Sequence, residues 1–534
     1  MNKRFVLPVL PLLGLTLLGN ACSGVQAVGE PGTVPGPTPA SITPSSLDGD
    51  AADPAAVITA RSFRSHLYFL ASDAMRGRDT PSPELEVAAA YLASQHQMLG
   101  LEGGAEGGSF YQRWPYRQLA TDMEGVRVAF QGSGGTVTLR PGEGAAFRGG
   151  VADELNAELT FVGMGRQLPA AEGLAGRAAV ISIPGEPNRS TLAMAGRVSQ
   201  WAEAGGAVAL VVVLDAGVSR AAMETFSADV ATPGWRMGWD FPLPQIFLTR
   251  EVAERAIPGL GEPLRQAAGS EDGFIRPLPG ARLTGTVPAQ VLEDGRPANV
   301  VALLRGRDAT LRNEYVVLSA HYDHVGVGRP IDGDSIYNGA DDNASGTVGL
   351  LEVARAIAGM PERPRRSILF VHVSGEEKGL LGSRWFVDNA PVPVESMVAN
   401  INVDMIGGDA HADSLIVIGK DYSDLGPLVD RLNDGMPELG LVTSDDLWPE
   451  QRFFFRSDQL NFMRKEIPAL FFFTGVHECY HRPCDTVDNV THEKAANISR
   501  LLVHTTLELA NRDARPQWRP EGLAEVRQLI AGGR

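Results

Sequence analysis

His321 and Asp323 stand in Ser319-Ala320-His321-Tyr322-Asp323-His324, and Asp341 and Asp342 in Asn338-Gly339-Ala340-Asp341-Asp342-Asn343-Ala344-Ser345-Gly346. Glu376 and Glu377 follow His372-Val373-Ser374-Gly375, Asp404 closes Asn402-Val403-Asp404, and His481 follows Cys479-Tyr480. Imidazole and carboxylate are the side chains that hold a divalent cation such as zinc, and the same groups move protons in general acid–base chemistry. Singly, each has a plainer use, since a carboxylate just after a strand is more often a helix cap. Asp341 has that reading, and Asn343 and Ser345 read as turn and cap residues. His324 reads as a supporting or exposed side chain. The whole set, spread over so much chain, asks for a common site.

The elements around these residues explain how they could meet. From Asn299 onward apolar strands alternate with amphipathic helices: a buried strand at 315–320, a helix at 345–358 and a strand at 366–374. Further strands fall at 398–404, 414–418 and 467–473, with a closing helix at 493–510. That alternation predicts an α/β fold, a mostly parallel mixed sheet with helices on both faces. In such sheets functional groups gather beyond the carboxyl ends of the strands, where these residues lie. Upstream, Phe63, Leu67 and Leu70 recur at helical spacing, 84–99 is a second helical stretch, and 124–139 alternates like strands.

This set, in this order, resembles the co-catalytic di-zinc aminopeptidases, whose wider superfamily includes glutamate carboxypeptidase II and the transferrin receptor. The resemblance runs from about Arg61 and is strongest between Asn299 and Asn489. It implies a zinc-exopeptidase fold and two Zn2+ ions, with His321 and Asp404 on one, Glu377 and His481 on the other, and Asp342 bridging. It implies Glu376 as general base, Asp323 as the carboxylate that accepts the second imidazole N–H of His321, and Tyr480 as donor to the tetrahedral oxyanion. Gln459 stands where relatives often carry His, and Ser374 where Thr or Ala is commoner.

His477-Glu478-Cys479-Tyr480-His481 also matches the H-E-x-x-H pattern of single-zinc proteases. That pattern works on a helix, and Gly475 and Pro483 make this a poor place for one. Cys479 and Cys484 flank His481, and in an exported chain they are expected to form a disulfide.

Export is expected from the start of the chain: Lys3 and Arg4 precede an apolar run from Phe5 to Leu18, too short to span a bilayer comfortably. Leu17-Leu18-Gly19-Asn20-Ala21-Cys22 resembles a bacterial lipoprotein cleavage site, with Gly19 where Leu is usual. A lipidated Cys22 would attach the chain to a membrane in the cell envelope, periplasm or outer membrane; the alternative is secretion. Residues 22–56, rich in Gly, Pro, Ala, Ser and Thr, read as a flexible linker after a 1–21 signal peptide. Leu174-Ala175-Gly176-Arg177-Ala178-Ala179-Val180-Ile181, Ala204-Gly205-Gly206-Ala207 and Phe241-Pro242-Leu243-Pro244-Gln245-Ile246 resemble the protease-associated domain, a β-rich α/β unit inserted into related peptidases. The expected organisation is the N-terminal part of the catalytic domain at 57–150, that insert at 151–280, the catalytic domain at 281–513 and a tail at 514–534.

Composition excludes some roles. Lys+Arg number 47 against 64 Asp+Glu, a formal charge of −17, which argues against nucleic-acid binding. The expected function is an exported aminopeptidase acting on peptides. The alternatives are a carboxypeptidase or dipeptidase, for which Arg452 and Arg456 are candidate carboxylate holders, and a non-catalytic receptor-like protein. Oligomeric state has no signature in the sequence.

Overall fold

The computed structural model describes residues 53–532 except 151–153, 165–167, 186, 215–216, 238–242, 270–272 and 409–412. The expected leader, Cys22 and most of the linker lie outside the described residues.

Apolar strands of the catalytic region pair because each is buried on both faces. Ala298–Leu304, Ser367–Val373 and Met397–Val403 are buried at every position, and Tyr315–His321 at every position but its first. They lie in a nine-stranded mixed sheet. Tyr315–His321 pairs in parallel with Ser367–Val373 on one side and Met397–Val403 on the other, and Met397–Val403 pairs in parallel with Ala469–Phe473. Ala298–Leu304 and Ser414–Ile418 add antiparallel pairings further out. The chain leaves Tyr315–His321 toward Ser367–Val373 and leaves Met397–Val403 toward the opposite flank, so the switch point and its crevice lie at the carboxyl ends of these two neighbours.

Helices cover the sheet through apolar faces. Ala60–Leu70 is capped by Thr59, which exchanges hydrogen bonds with Ser62, and buries Phe63, Leu67 and Leu70. Gly346–Ala358 and His492–Asn511 pack on the same face, sharing one core with Val316, Leu318 and Val403. A second core on the other face gathers Val317, Leu369, Phe386, Phe462 and Phe471.

Eight strands form a second sheet, with its own two cores. Its membership departs from the expected 150 and 280 boundaries. Arg127–Gly132, Gly135–Leu139 and Ala145–Arg148 all join it, and Arg276–Thr286 extends it past 280. The physical reason is pairing: Leu283 opposite Phe130 and Gly285 opposite Val128 bury the apolar face of the hairpin, which Ala298–Leu304 has no free edge to receive. Tyr116–Thr121, Gly234–Met237 and Ala289–Gly295 make a separate three-stranded sheet. Within the expected tail, Pro520–Gly532 is a helix that buries Val526, and the Trp518 indole N–H donates to the Glu466 carbonyl at 2.8 Å.

Candidate active site

Each expected site residue sits at or just past the carboxyl end of a strand. His321 ends Tyr315–His321, Glu376 and Glu377 follow Ser367–Val373, Asp404 follows Met397–Val403, and His481 lies in the loop after Ala469–Phe473. Asp341 and Asp342 occupy the irregular turn Ala340–Ser345 that leads into Gly346–Ala358. Parallel pairing carries these ends to one side of the sheet.

The structure brings five of them into two groups that share Asp342. His321 Nε2 lies 3.5 Å from Asp342 Oδ1 and 3.3 Å from Asp404 Oδ1. On the other side His481 Nε2 lies 3.1 Å from Asp342 Oδ2 and 3.3 Å from Glu377 Oε2. The two oxygens of Asp342 therefore face different groups, as a bridging carboxylate must. His324 joins the second group, buried, with Nδ1 2.9 Å from Glu377 Oε1 and 3.7 Å from Asp342 Oδ2. Its burial departs from an exposed reading. The H-x-x-H spacing of His321 and His324 was the only trace of it in the sequence.

These donors fit a metal. Both ring nitrogens of His324, Asp342 Oδ2 and Glu377 Oε1 are buried without a hydrogen-bond partner, although they converge within one group. Leaving such atoms unpaired in a protein interior costs on the order of 1–3 kcal/mol each. A cation accepting their lone pairs removes that cost, and imidazole with carboxylate is a zinc donor set. The electrostatics agree. Burial pulls the His321 imidazole down, but Asp404 and Glu376 outweigh it and hold it well above its usual range. Burial likewise opposes protonation of His481, yet Asp342 and Glu377 push it up to about 10. The field retains a positive charge here, whether proton or metal.

Glu376 belongs to neither group but lines the same cavity, beside His321, Asp342 and Asp404. Burial raises its carboxyl well above the usual range; nearby His321 opposes this and Glu377 adds to it. Gly375 makes the turn that presents it: φ is +76°, and a Cβ there would lie 2.9 Å from the Trp114 ring. Trp114 in turn donates its indole N–H to Ser374 Oγ at 3.0 Å.

Asp323 acts differently from the expectation. Its carboxylate Oδ1 stands 3.8 Å from His321 Nδ1, while its backbone carbonyl is 3.1 Å away and takes the imidazole bond. The carboxylate instead accepts the Glu376 backbone N–H at 3.3 Å and the Thr80 hydroxyl at 3.0 Å. The loop after the strand turns the side chain toward Glu376, so Asp323 steadies the candidate base.

Several supporting residues had no signal in the sequence. Asp485 accepts the backbone N–H groups of Asp341 and Asp342 at 2.9 and 3.0 Å. Ser457 donates to Asp404 Oδ2 at 2.7 Å. Buried Arg78 donates to the carbonyls of Leu70, Tyr322, Asn338 and Gly339, tying the loops after both segments together. Asp341 is no helix cap: it accepts the Gly407 N–H at 2.7 Å and faces His477 Nε2 at 3.2 Å. Asn343 links the turn to the Asp404 strand end through the Val403 carbonyl and the Gly346 and Met405 N–H groups. His477 and His481 share no helix, since 478–481 is a turn, and Cys479 is joined to Cys484 in a disulfide around it.

The cavity of about 340 Å³ has a polar wall and an apolar one. Tyr480 stacks on His481 with centroids 3.9 Å apart, and burial raises its phenol so that it stays a proton donor. Met405, Phe453, Phe471, Phe473 and Val476 form the apolar wall. Arg456 lines the rim, donating to the Tyr480 hydroxyl at 3.2 Å, whereas Arg452 lines a different cleft.

Residues 299–506, which carry every residue of the two groups, match the family described as Peptidase family M28. That segment belongs to peptidase family M28. Curated relatives of the M28 segment include leucine aminopeptidase 2 of Arthroderma otae, 27% identical over 241 residues, covering 40% of this chain and 45% of that protein. Aminopeptidase YwaD of Bacillus subtilis is 26% identical over 211 residues, covering 38% and 43%. The chain thus spans less than half the length of these relatives. Among solved structures, an aminopeptidase from Aneurinibacillus sp. strain AM-1 is 19% identical with a TM-score of 0.45, covering 88% of this chain and 98% of that one.

Proposed function

We propose that the chain is an exported zinc aminopeptidase that uses two co-catalytic zinc ions and Glu376 as general base. The observation that carries this reading is the sharing of Asp342, one oxygen toward His321 and Asp404, the other toward Glu377 and His481, with the Glu376 carboxylate beside them and outside both groups. The names of the curated relatives and of the M28 family point the same way.

His321, Asp342 and Asp404 would hold one ion, and Asp342, Glu377 and His481 the other, with His324 at hand. Zinc at these positions supplies Lewis-acid polarisation of the scissile carbonyl and a more acidic water. Glu376 takes the proton from the attacking water and hands it to the leaving amine. Tyr480 donates its hydroxyl hydrogen bond to the developing oxyanion. The apolar wall receives the terminal side chain, and Asp323 keeps Glu376 aimed.

Lys3, Arg4 and the apolar run to Leu18 support export, and Cys22 supports lipid attachment in the cell envelope. The eight-stranded second sheet is proposed as a protease-associated unit, on the motifs around Gly176 and Gly206.

A second reading has one observation in its favour. Arg456 puts a cation at the cavity rim, which suits a substrate carboxylate and hence a dipeptidase or carboxypeptidase. Rates on a free-amine peptide and its acetylated form separate the two: preference for the acetylated form rejects the aminopeptidase. Metal analysis together with Glu376→Gln tests the mechanism. The variant should keep about two zinc ions and lose about 10²–10⁴-fold in kcat; near-native turnover rejects Glu376 as the base.

A further inference from the structure

We infer that Arg148 and Arg236 form a binding site for a small oxyanion, carboxylate or phosphate-like, remote in sequence from the M28 segment and independent of its proposed activity. Arg148 ends the edge strand Ala145–Arg148 of the eight-stranded sheet, and Arg236 lies on Gly234–Met237 of the three-stranded one. Both line one cavity of about 400 Å³ between the two sheets.

Among the described residues neither guanidinium has a carboxylate partner; Arg236 donates only to the Trp235 carbonyl, at 2.9 Å, and Arg148 donates to nothing. Several arginines of this region are paired instead. Arg117, the cross-strand neighbour of Arg236, pairs with Asp294 at 2.8 Å, Arg177 with Glu158 at 3.0 Å and Arg250 with Glu254 at 3.0 Å. Two cations sharing a cavity repel each other unless an anion lies between them. Burial, then the proximity of Arg236, lowers the Arg148 guanidinium to about 10, which records the same penalty.

The rest of the wall leaves the task to these two side chains. None of the described lining residues is acidic. Leu119, Ala120, Val230 and Ala289 are apolar and weaken solvent screening. The hydroxyls of Thr121 and Thr232 are already donated to the carbonyls of Phe147 and Ala228. A guanidinium presents a planar fork of N–H donors that matches the oxygens of a carboxylate or phosphate. Two forks in one cavity make a clamp for one such group.

Titration calorimetry of the zinc-loaded full chain with sulfate, which mimics phosphate, and separately with acetate tests this. The expected result is saturable one-to-one binding of at least one of them with a Kd of about 1 mM or tighter. Tighter sulfate identifies a phosphate-type ligand and tighter acetate a carboxylate. Arg148→Met with Arg236→Met should weaken binding at least about tenfold, and the double Lys variant should retain part of it, because charge survives while the fork is lost. Arg236→Met alone, at an exposed side chain, carries the test if the double variant fails to fold, and should weaken binding at least about threefold. No saturable binding of either anion up to about 50 mM, or unchanged affinity in the Met variants, overturns the assignment.

Discussion

His96 and His372 meet in the core behind the candidate site, and their meeting sets a measurable acid sensitivity. Both are fully buried, their Nε2 atoms are 2.8 Å apart, and neither Nδ1 has a hydrogen-bond partner. One ring donates and the other accepts; a further proton would put a buried charge on an Nδ1–H with no partner, so burial holds both rings neutral. Burial lowers His96 to about 3, and burial together with His96 takes His372 well below its usual range. In the unfolded chain a histidine titrates near 6.5, so between pH 6.5 and about 3 the unfolded state binds a proton that the folded state refuses. Stability from this pair is therefore complete above about pH 7 and falls as the pH drops through that window. For His96 alone the loss from pH 7 to pH 5 is about 2 kcal/mol, and His372 adds to it in the same direction. The assay is urea unfolding at both pH values for the native chain and for His96→Leu with His372→Leu. Removing both partners together avoids stranding one buried polar ring. The variant should lose at least about 2 kcal/mol less than the native chain on acidification, other carboxylates cancelling in the difference. An identical loss in both proteins refutes the neutral-pair argument.

Other outcomes follow from the cage and its supports. Asp342→Asn removes the charge shared by both groups, so zinc content should fall below about one per chain and kcat by at least about 10³-fold; full metal content in this variant rejects the bridging role. Asp323→Asn should leave zinc content unchanged and lower kcat about tenfold or more, because its carboxylate holds the Glu376 backbone rather than a ligand imidazole; loss of metal with intact kcat per zinc would show the opposite. On the dipeptidase or carboxypeptidase reading, Arg456→Met should bring the ratio of kcat/KM for a dipeptide to that for its C-terminal amide close to about one; an unchanged ratio shows that Arg456 reads no substrate carboxylate and rejects that reading.

The parts of the fold legible in the sequence are those where one local rule decides the outcome. Doubly buried strands such as Ser367–Val373 and Met397–Val403 announce themselves as apolar runs, and a parallel sheet then sends every following loop to the same side. That placed His321, Asp342, Glu377, Asp404 and His481 on one side of the sheet, while their division into two groups came from the family resemblance. Alternation governs side-chain direction only inside a strand, and it ends at His321. Asp323 and His324 lie beyond that point, and these are the two whose directions differ: the Asp323 carboxylate turns to Glu376, and the His324 ring turns inward to Glu377. The same limit hides the domain edge. The hairpin of Arg127–Gly132 and Gly135–Leu139 has no compositional break from the chain before it, and only long-range pairing with Arg276–Thr286 assigns it to the second sheet.

Asp341 and Asp342 carry this reasoning to its sharpest case, because adjacent and chemically identical residues end with different work. Residue type cannot separate them, and neither can burial, since both are almost fully enclosed. What separates them is the direction the backbone imposes. Asp485 grips both N–H groups, and the next peptide is held through Asn343 by Gly346 and Met405. With the turn clamped at both ends, one carboxylate is spent on Gly407, Ser345 and His477, while the other is left facing two histidines from opposite sides. On the proposed two-zinc reading, a bridging carboxylate must hold its two oxygens apart in fixed directions, and the clamp would supply that rigidity. On that reading Asp485 would serve the centre through the backbone of Asp341 and Asp342, without touching any of the atoms that would bind metal.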